Sequence, residues 1–161
     1  MPDPAWTSPA AAAAIAAIAS SIAAGLAVYN AWELRKQGEE KLKIDLFERR
    51  YRIYEAIYRY IAHMDREGNV SDDAIRELDR GCTAIEFLFD KDVRDYVRTV
   101  RNKGIDLMTA RKIMEPLPVG DEHSKQSALI CELVKWSSQQ FESAEHVFSR
   151  YLKFPVPGSR I

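Results

Sequence analysis

The sequence predicts an all-α protein: an N-terminal single transmembrane helix followed by an antiparallel helical bundle of about four helices. Three observations carry that expectation. Ala10 to Tyr29 contains no charged side chain. The rest of the chain repeats its apolar residues at three-four spacing, the period of an amphipathic helix. No segment shows the alternation of a half-buried strand. The expected organisation is a short tail over 1–9, a transmembrane helix over 10–32, a bundle over 33–154 and a C-terminal tail over 155–161.

Between Asp3 and Glu33 the only ionisable side chain is Tyr29. As a helix, Ala10 to Tyr29 rises roughly 30 Å, the thickness of a hydrocarbon core. Alanine is close to neutral in transfer, so the apolar drive rests on Ile15, Ile18, Ile22, Leu26 and Val28. Trp6 at one end and Tyr29 and Trp32 at the other stand where amphipathic rings favour the headgroup region. Arg35, Lys36, Lys41 and Lys43 follow the segment, which by the positive-inside rule keeps the C-terminal domain in the cytoplasm and the N-terminus outside. Ala13, Ala17, Ser21 and Gly25 recur every four residues as a strip of small side chains, a surface on which a second helix backbone packs closely. Two rival readings of the segment are a soluble Ala-rich helix docking its isoleucine stripe on protein, and a cleaved signal peptide. The second lacks the basic n-region such peptides carry.

Downstream, Leu34 to Met64 keeps a helical period, with Leu46, Phe47, Ile53, Tyr54, Ile57, Tyr58 and Ile61 on one broad face. Gly38 is its weak point and a candidate swivel, and Gly68-Asn69 is its stop. Ser71 is an N-cap followed by Asp72 and Asp73, and Ile75, Leu78, Cys82, Ile85 and Phe89 form the stripe of the next helix. Asp90 caps a third, carrying Val93, Tyr96, Val97, Val100 and Leu107 to about Met114. Pro116, Pro118 and Gly120 mark the one clear loop. Ser124 opens a fourth helix, with Ile130, Leu133, Val134, Phe141, Ala144, Phe148, Tyr151 and Leu152 facing the core, and Pro155 and Pro157 end it. Short connections imply an antiparallel order, so the last helix returns to the end at which the first enters.

The 161 residues leave about 130 for one compact domain once the first thirty or so are set apart. Charged residues are 29% of the chain and the net charge is −1, so no global field draws in nucleic acid, which is excluded as an expected partner. Cys82 and Cys131 fit no metal-ligand spacing and no disulfide framework and read as reduced thiols, Cys82 as a small buried hydrophobe. Tyr51, Tyr54, Tyr58 and Tyr60 with Arg49, Arg50, Arg52 and Arg59 suggest a stacking surface. Interleaved Asp45, Glu48 and Glu55 instead give the pattern of a solvated face, with the rings as core and rim. Glu142, Glu145 and His146 project away from the apolar face, and no Glu-x-x-His pair supports a di-iron site. No catalytic, metal or cofactor constellation emerges, and no cofactor is expected.

One residue is out of place. Arg50 projects into the apolar face of its helix, and a guanidinium there needs a partner. Glu86, at the edge of the next apolar stripe, is the candidate for a buried ion pair.

The block Leu42-Lys-Ile-Asp-Leu-Phe-Glu-Arg-Arg-Tyr-Arg-Ile-Tyr-Glu-Ala56, with Phe87-Leu-Phe-Asp90 after it, resembles uncharacterised bacterial proteins in which a similar block follows an N-terminal hydrophobic helix. The resemblance implies a bacterial source, hence the inner membrane, and a helical fold. That family has no established activity to carry over. The expected function is a non-enzymatic, membrane-anchored interaction or scaffold module at the cytoplasmic face, contacting membrane lipid and a protein partner or further copies of itself. Alternatives are a pore-forming effector with the bundle as sensor, and an enzyme with a site between helices near Arg50.

Overall fold

The computed structural model describes residues 9–153, apart from the side chains of 9–12, 14, 15, 18, 19 and 22. All regular structure among them is helical: α1 Pro9–Glu67, α2 Asp72–Gly81, α3 Ile85–Leu88, α4 Lys91–Met114 and α5 Asp121–Ser149. Four long helices and one short turn of helix make up the fold, and the described residues contain no strand. Contacts divide the chain into two units, one ending at Asp45 and one beginning at Leu46, and α1 contributes to both.

The first unit is helical because proline is absent after Pro9, which sits where its missing N–H costs nothing, and because alanine is the best helix former. The helix continues through Gly38, beside which a side chain would meet open space. Residues 34–45 are exposed on every side, and Arg35 Nε reaches Glu39 at 3.3 Å across one turn. Such i, i+4 pairs support a helix that has no apolar stripe to bury.

Among the described residues no helix is long and apolar enough to cross a membrane. The expected transmembrane span at Ala10–Tyr29 therefore gains no support from the structure. Alanine contributes little transfer energy, and the side chains of Ile15, Ile18 and Ile22, on which the expectation rested, lie outside the described ones. Trp6 and the tail over 155–161 likewise lie outside the described residues.

The second unit is an antiparallel bundle whose cross-helix contacts fix its direction. Gly81 of α2 meets Ala56 and Glu77 meets Arg59 at 3.6 Å, so α2 runs back along α1. Tyr60 reaches the Arg101 carbonyl and Arg111 the Gly68 carbonyl, so α4 runs parallel to α1. The rings of Phe148 and Phe141 on α5 lie against Tyr54 and Tyr58, which makes α5 antiparallel to α1. The core between them is apolar, with Ile57, Ile61, Met64, Val93, Val100, Leu107 and Phe148 fully buried.

Local chemistry sets the ends. Gly68 has φ +55°, a left-handed conformation suited to glycine, and ends α1. The Ser71 hydroxyl accepts from the Ala74 N–H at 3.1 Å and caps α2. The stripe expected to continue to Phe89 is broken after Gly81, because the Thr83 hydroxyl donates to the Arg80 carbonyl at 2.8 Å and competes with the helix bond there. The last helix begins at Asp121 rather than Ser124, with Asp121 and Glu122 in the first turn, where negative charge offsets the helix dipole.

Candidate interaction surfaces

At the Leu46 end of the bundle α1, α3, α4 and α5 meet around Arg50. Its Nε donates to the Leu88 carbonyl at 3.2 Å, and the guanidinium lies 5.4 Å from the Tyr151 ring centre and 6.0 Å from that of Phe89. Glu86, the expected partner, is instead paired with Arg94. Arg50 thus satisfies the need for a partner with a main-chain acceptor and two ring faces, which together offset the loss of water around a half-buried guanidinium. Asp90 stands at the N-cap of α4, but its carboxylate accepts from the Tyr151 hydroxyl at 2.8 Å rather than capping the helix. Arg150 donates to Asp92 at 2.7 Å and closes the cluster.

This arrangement holds the residues just after α5 to the start of α4. Replacing Arg50 with methionine leaves the Leu88 carbonyl without its donor and is expected to destabilise the bundle by about 1–2 kcal/mol in urea unfolding. Unchanged stability would return Arg50 to candidacy as a ligand contact.

A second feature runs along the α1–α5 seam. Phe47, Tyr51, Tyr54 and Tyr58 follow one another with centroids 6.0, 6.0 and 5.9 Å apart, the first pair stacked and the other two tilted, and Phe141 lies 5.0 Å from Tyr58. The tyrosines expected as one group of core and rim divide sharply. Tyr60 is buried against α4 and Tyr54 is half-buried, whereas Tyr51 and Tyr58 are 47% and 42% exposed. Burial raises the Tyr54 hydroxyl pKa, and the neighbouring Tyr58, Glu145 and Tyr51 add to it. Glu145 therefore lies close enough to the stripe to be felt electrostatically.

A shallow groove of about 800 Å³ lies between α1 and α2, floored by Ala56, Ala74 and Leu78 and rimmed by Arg52, Arg59, Arg66 and Arg80. Glu55, Asp73 and Glu77 share its rim and balance most of that charge. Cys82 is buried and Cys131 exposed, both as free thiols. Among the described residues no three His, Cys, Asp or Glu side chains group as metal ligands.

In the first unit Ala13, Ala17, Ser21 and Gly25 are exposed, and the Ser21 hydroxyl donates to the Ala17 carbonyl at 2.9 Å. Tyr29 and Trp32 are exposed too, and the Lys36 ammonium lies 5.9 Å from the Trp32 ring centre. Leu26, Val28 and Leu34, 58%, 71% and 68% exposed, extend this uncovered apolar surface.

Comparison of the chain with protein-family models, with curated proteins and with solved structures gives no match. The functional reading therefore rests on the residues themselves.

Proposed function

We propose that the chain is a membrane-anchored helical interaction module, held by residues 10–32 and presenting its bundle at the cytoplasmic face to further copies of itself or to a partner protein. The observation that carries the reading is an uncharged segment whose described apolar side chains, Leu26, Val28, Tyr29 and Trp32, stand exposed to water. Apolar surface on that scale costs about 25 cal/mol for each Å² left in water, and a bilayer removes that cost. The small-residue strip through Ala13, Ala17, Ser21 and Gly25 supports helix pairing within the bilayer. The excess of Lys and Arg after the segment supports the orientation.

Membranes from expressing bacterial cells provide the test. The full chain is expected to stay in the pellet through alkaline carbonate and to be released by detergent, and removing residues 1–32 is expected to free the bundle. A membrane-impermeant maleimide is expected to reach the exposed Cys131 only after lysis. Release of the full chain by carbonate overturns the anchor, and labelling in intact cells overturns the orientation.

A further inference from the structure

The tyrosine stripe carries more than the packing of α5 onto α1 requires. Tyr51 and Tyr58 keep nearly half their surface in water while each packs at a tilt against Tyr54. Ordered, exposed aromatic rings are the residue type enriched at the centres of protein interfaces.

The charges on either side of the rings are arranged unequally. On the α5 side Glu145 lies close enough to Tyr54 to act on its hydroxyl. Glu142 stands one turn earlier on the same exposed surface of α5, and neither takes part in an ion pair among the described residues. At about 100° per residue, Tyr58 and Tyr54 turn from Tyr51 towards α5 and Arg52 turns the opposite way. Its guanidinium is 76% exposed and reaches Glu48 only at 4.0 Å. Glu55 and Arg59 share this flank, and Arg59 already bridges two carboxylates, Glu55 at 3.1 Å and Glu77 at 3.6 Å. An arginine has five N–H donors, so Arg52 has capacity for a second carboxylate in the same way.

Carboxylates without an ion pair, exposed rings and an under-used guanidinium therefore follow one another across the surface. Such a patch is complementary to itself after a two-fold rotation, the condition for an isologous interface. From this order we infer that two copies of the chain pair through the stripe, Tyr51 and Tyr58 of one copy packing on those of the other and Arg52 facing the second copy's Glu142 and Glu145. An unrelated acidic or basic partner would answer only one flank, whereas a second copy answers both. The inference rests on the self-association proposed above and is independent of the membrane anchor.

The experiment uses the full chain in native membranes with Cys131→Ser, so that buried Cys82 is the one thiol left. Single cysteines replace Tyr51, Tyr58 or, as a control on the outer face of α4, Arg98, and a short bis-maleimide is added. Tyr51→Cys and Tyr58→Cys are expected to give a cross-linked species of twice the chain mass, and Arg98→Cys is not. In the Tyr58→Cys chain, Arg52→Glu is expected to lower the yield about tenfold, and Glu142→Arg with Glu145→Arg to restore it.

Equal yields at all three cysteines, no product at the stripe, or products of another mass overturn the pairing. So does a yield unmoved by the charge reversals. Carbonate extraction of the same samples reads the anchor separately, so failure of the pairing and failure of the anchor are told apart.

Discussion

Replacing Gly104 with alanine is expected to destabilise the bundle by about 2–3 kcal/mol, although the same change in an ordinary helix interior stabilises by about 1 kcal/mol. A Cβ on Gly104 would lie 2.0 Å from the Tyr60 hydroxyl oxygen and 2.7 Å from its Cζ. Tyr60 is itself only 3% exposed and has no room to withdraw. The clash is with a ring at the α1–α4 interface, so an overpacked contact replaces a close approach. Thermal unfolding reads it as a drop in Tm of about 10 °C.

The pair Gly104→Ala and Tyr60→Ala separates sterics from propensity. With the ring gone the alanine is expected to regain its favourable sign, and the two changes are therefore strongly non-additive. Gly38→Ala is the matched control, since open space surrounds that position and no loss is expected. A Gly104→Ala chain as stable as the parent would mean that the ring does not lie over the glycine.

Raising the pH through the interval from about 9 to about 12 is expected to remove on the order of 5 kcal/mol of stability. Burial pushes the Tyr60 hydroxyl up to about 12 from its ordinary 10, and the nearby Arg101 opposes this only in part. Burial likewise pushes the Cys82 thiol up to about 12 from 9, and it raises Tyr96. The sign follows from proton counts. In the unfolded chain the thiol and phenols ionise from about pH 9 and 10, while the folded chain keeps those protons until about 12. The unfolded state binds fewer protons across that window, so stability is complete below pH 9 and falls as the pH rises.

Urea unfolding at pH 8 and pH 11 measures the loss. Tyr60→Phe gives up only a 3.4 Å hydrogen bond to the Arg101 carbonyl, and with Cys82→Ala it is expected to flatten the alkaline fall. Parallel pH profiles for the parent and the double variant would show that other groups control it.

Much of the bundle is legible in the sequence because its signals are local. Ser71 caps because a hydroxyl at that point meets the free N–H groups of the next turn. Gly68 stops α1 because a residue with no Cβ enters the left-handed region freely. The three-four stripes forecast Ile57, Leu78, Val100 and Phe148 as core, and all are buried. The up-down-up-down order followed from short connections, and the cross-helix contacts agree with it.

What periodicity missed depends on which helix lies opposite. A glycine inside a helix costs propensity, and only Tyr60 lying against Gly104 shows why α4 carries one there. Arg50 announces itself as a cation in an apolar face, but a main-chain carbonyl and two rings on other segments answer it, and Glu86 pairs with Arg94. A carbonyl leaves no mark in the sequence, so no side-chain pattern points to it. The tyrosines of α1 likewise look alike at helical spacing, and only the position of α5 leaves Tyr51 and Tyr58 in water while covering Tyr54.

Residues within a few turns of one another fix the helical class, the core stripes, the Ser71 cap, the Gly68 stop and the uncharged N-terminal stretch, so these can be read along the chain. The caps expected at Asp90 and Ser124, by contrast, are not formed. The tertiary structure decided which glycines are indispensable, what satisfies Arg50, and which aromatic rings face solvent between carboxylates and arginines. Those outcomes depend on distances between helices far apart in the chain, and such distances are set only when the bundle closes.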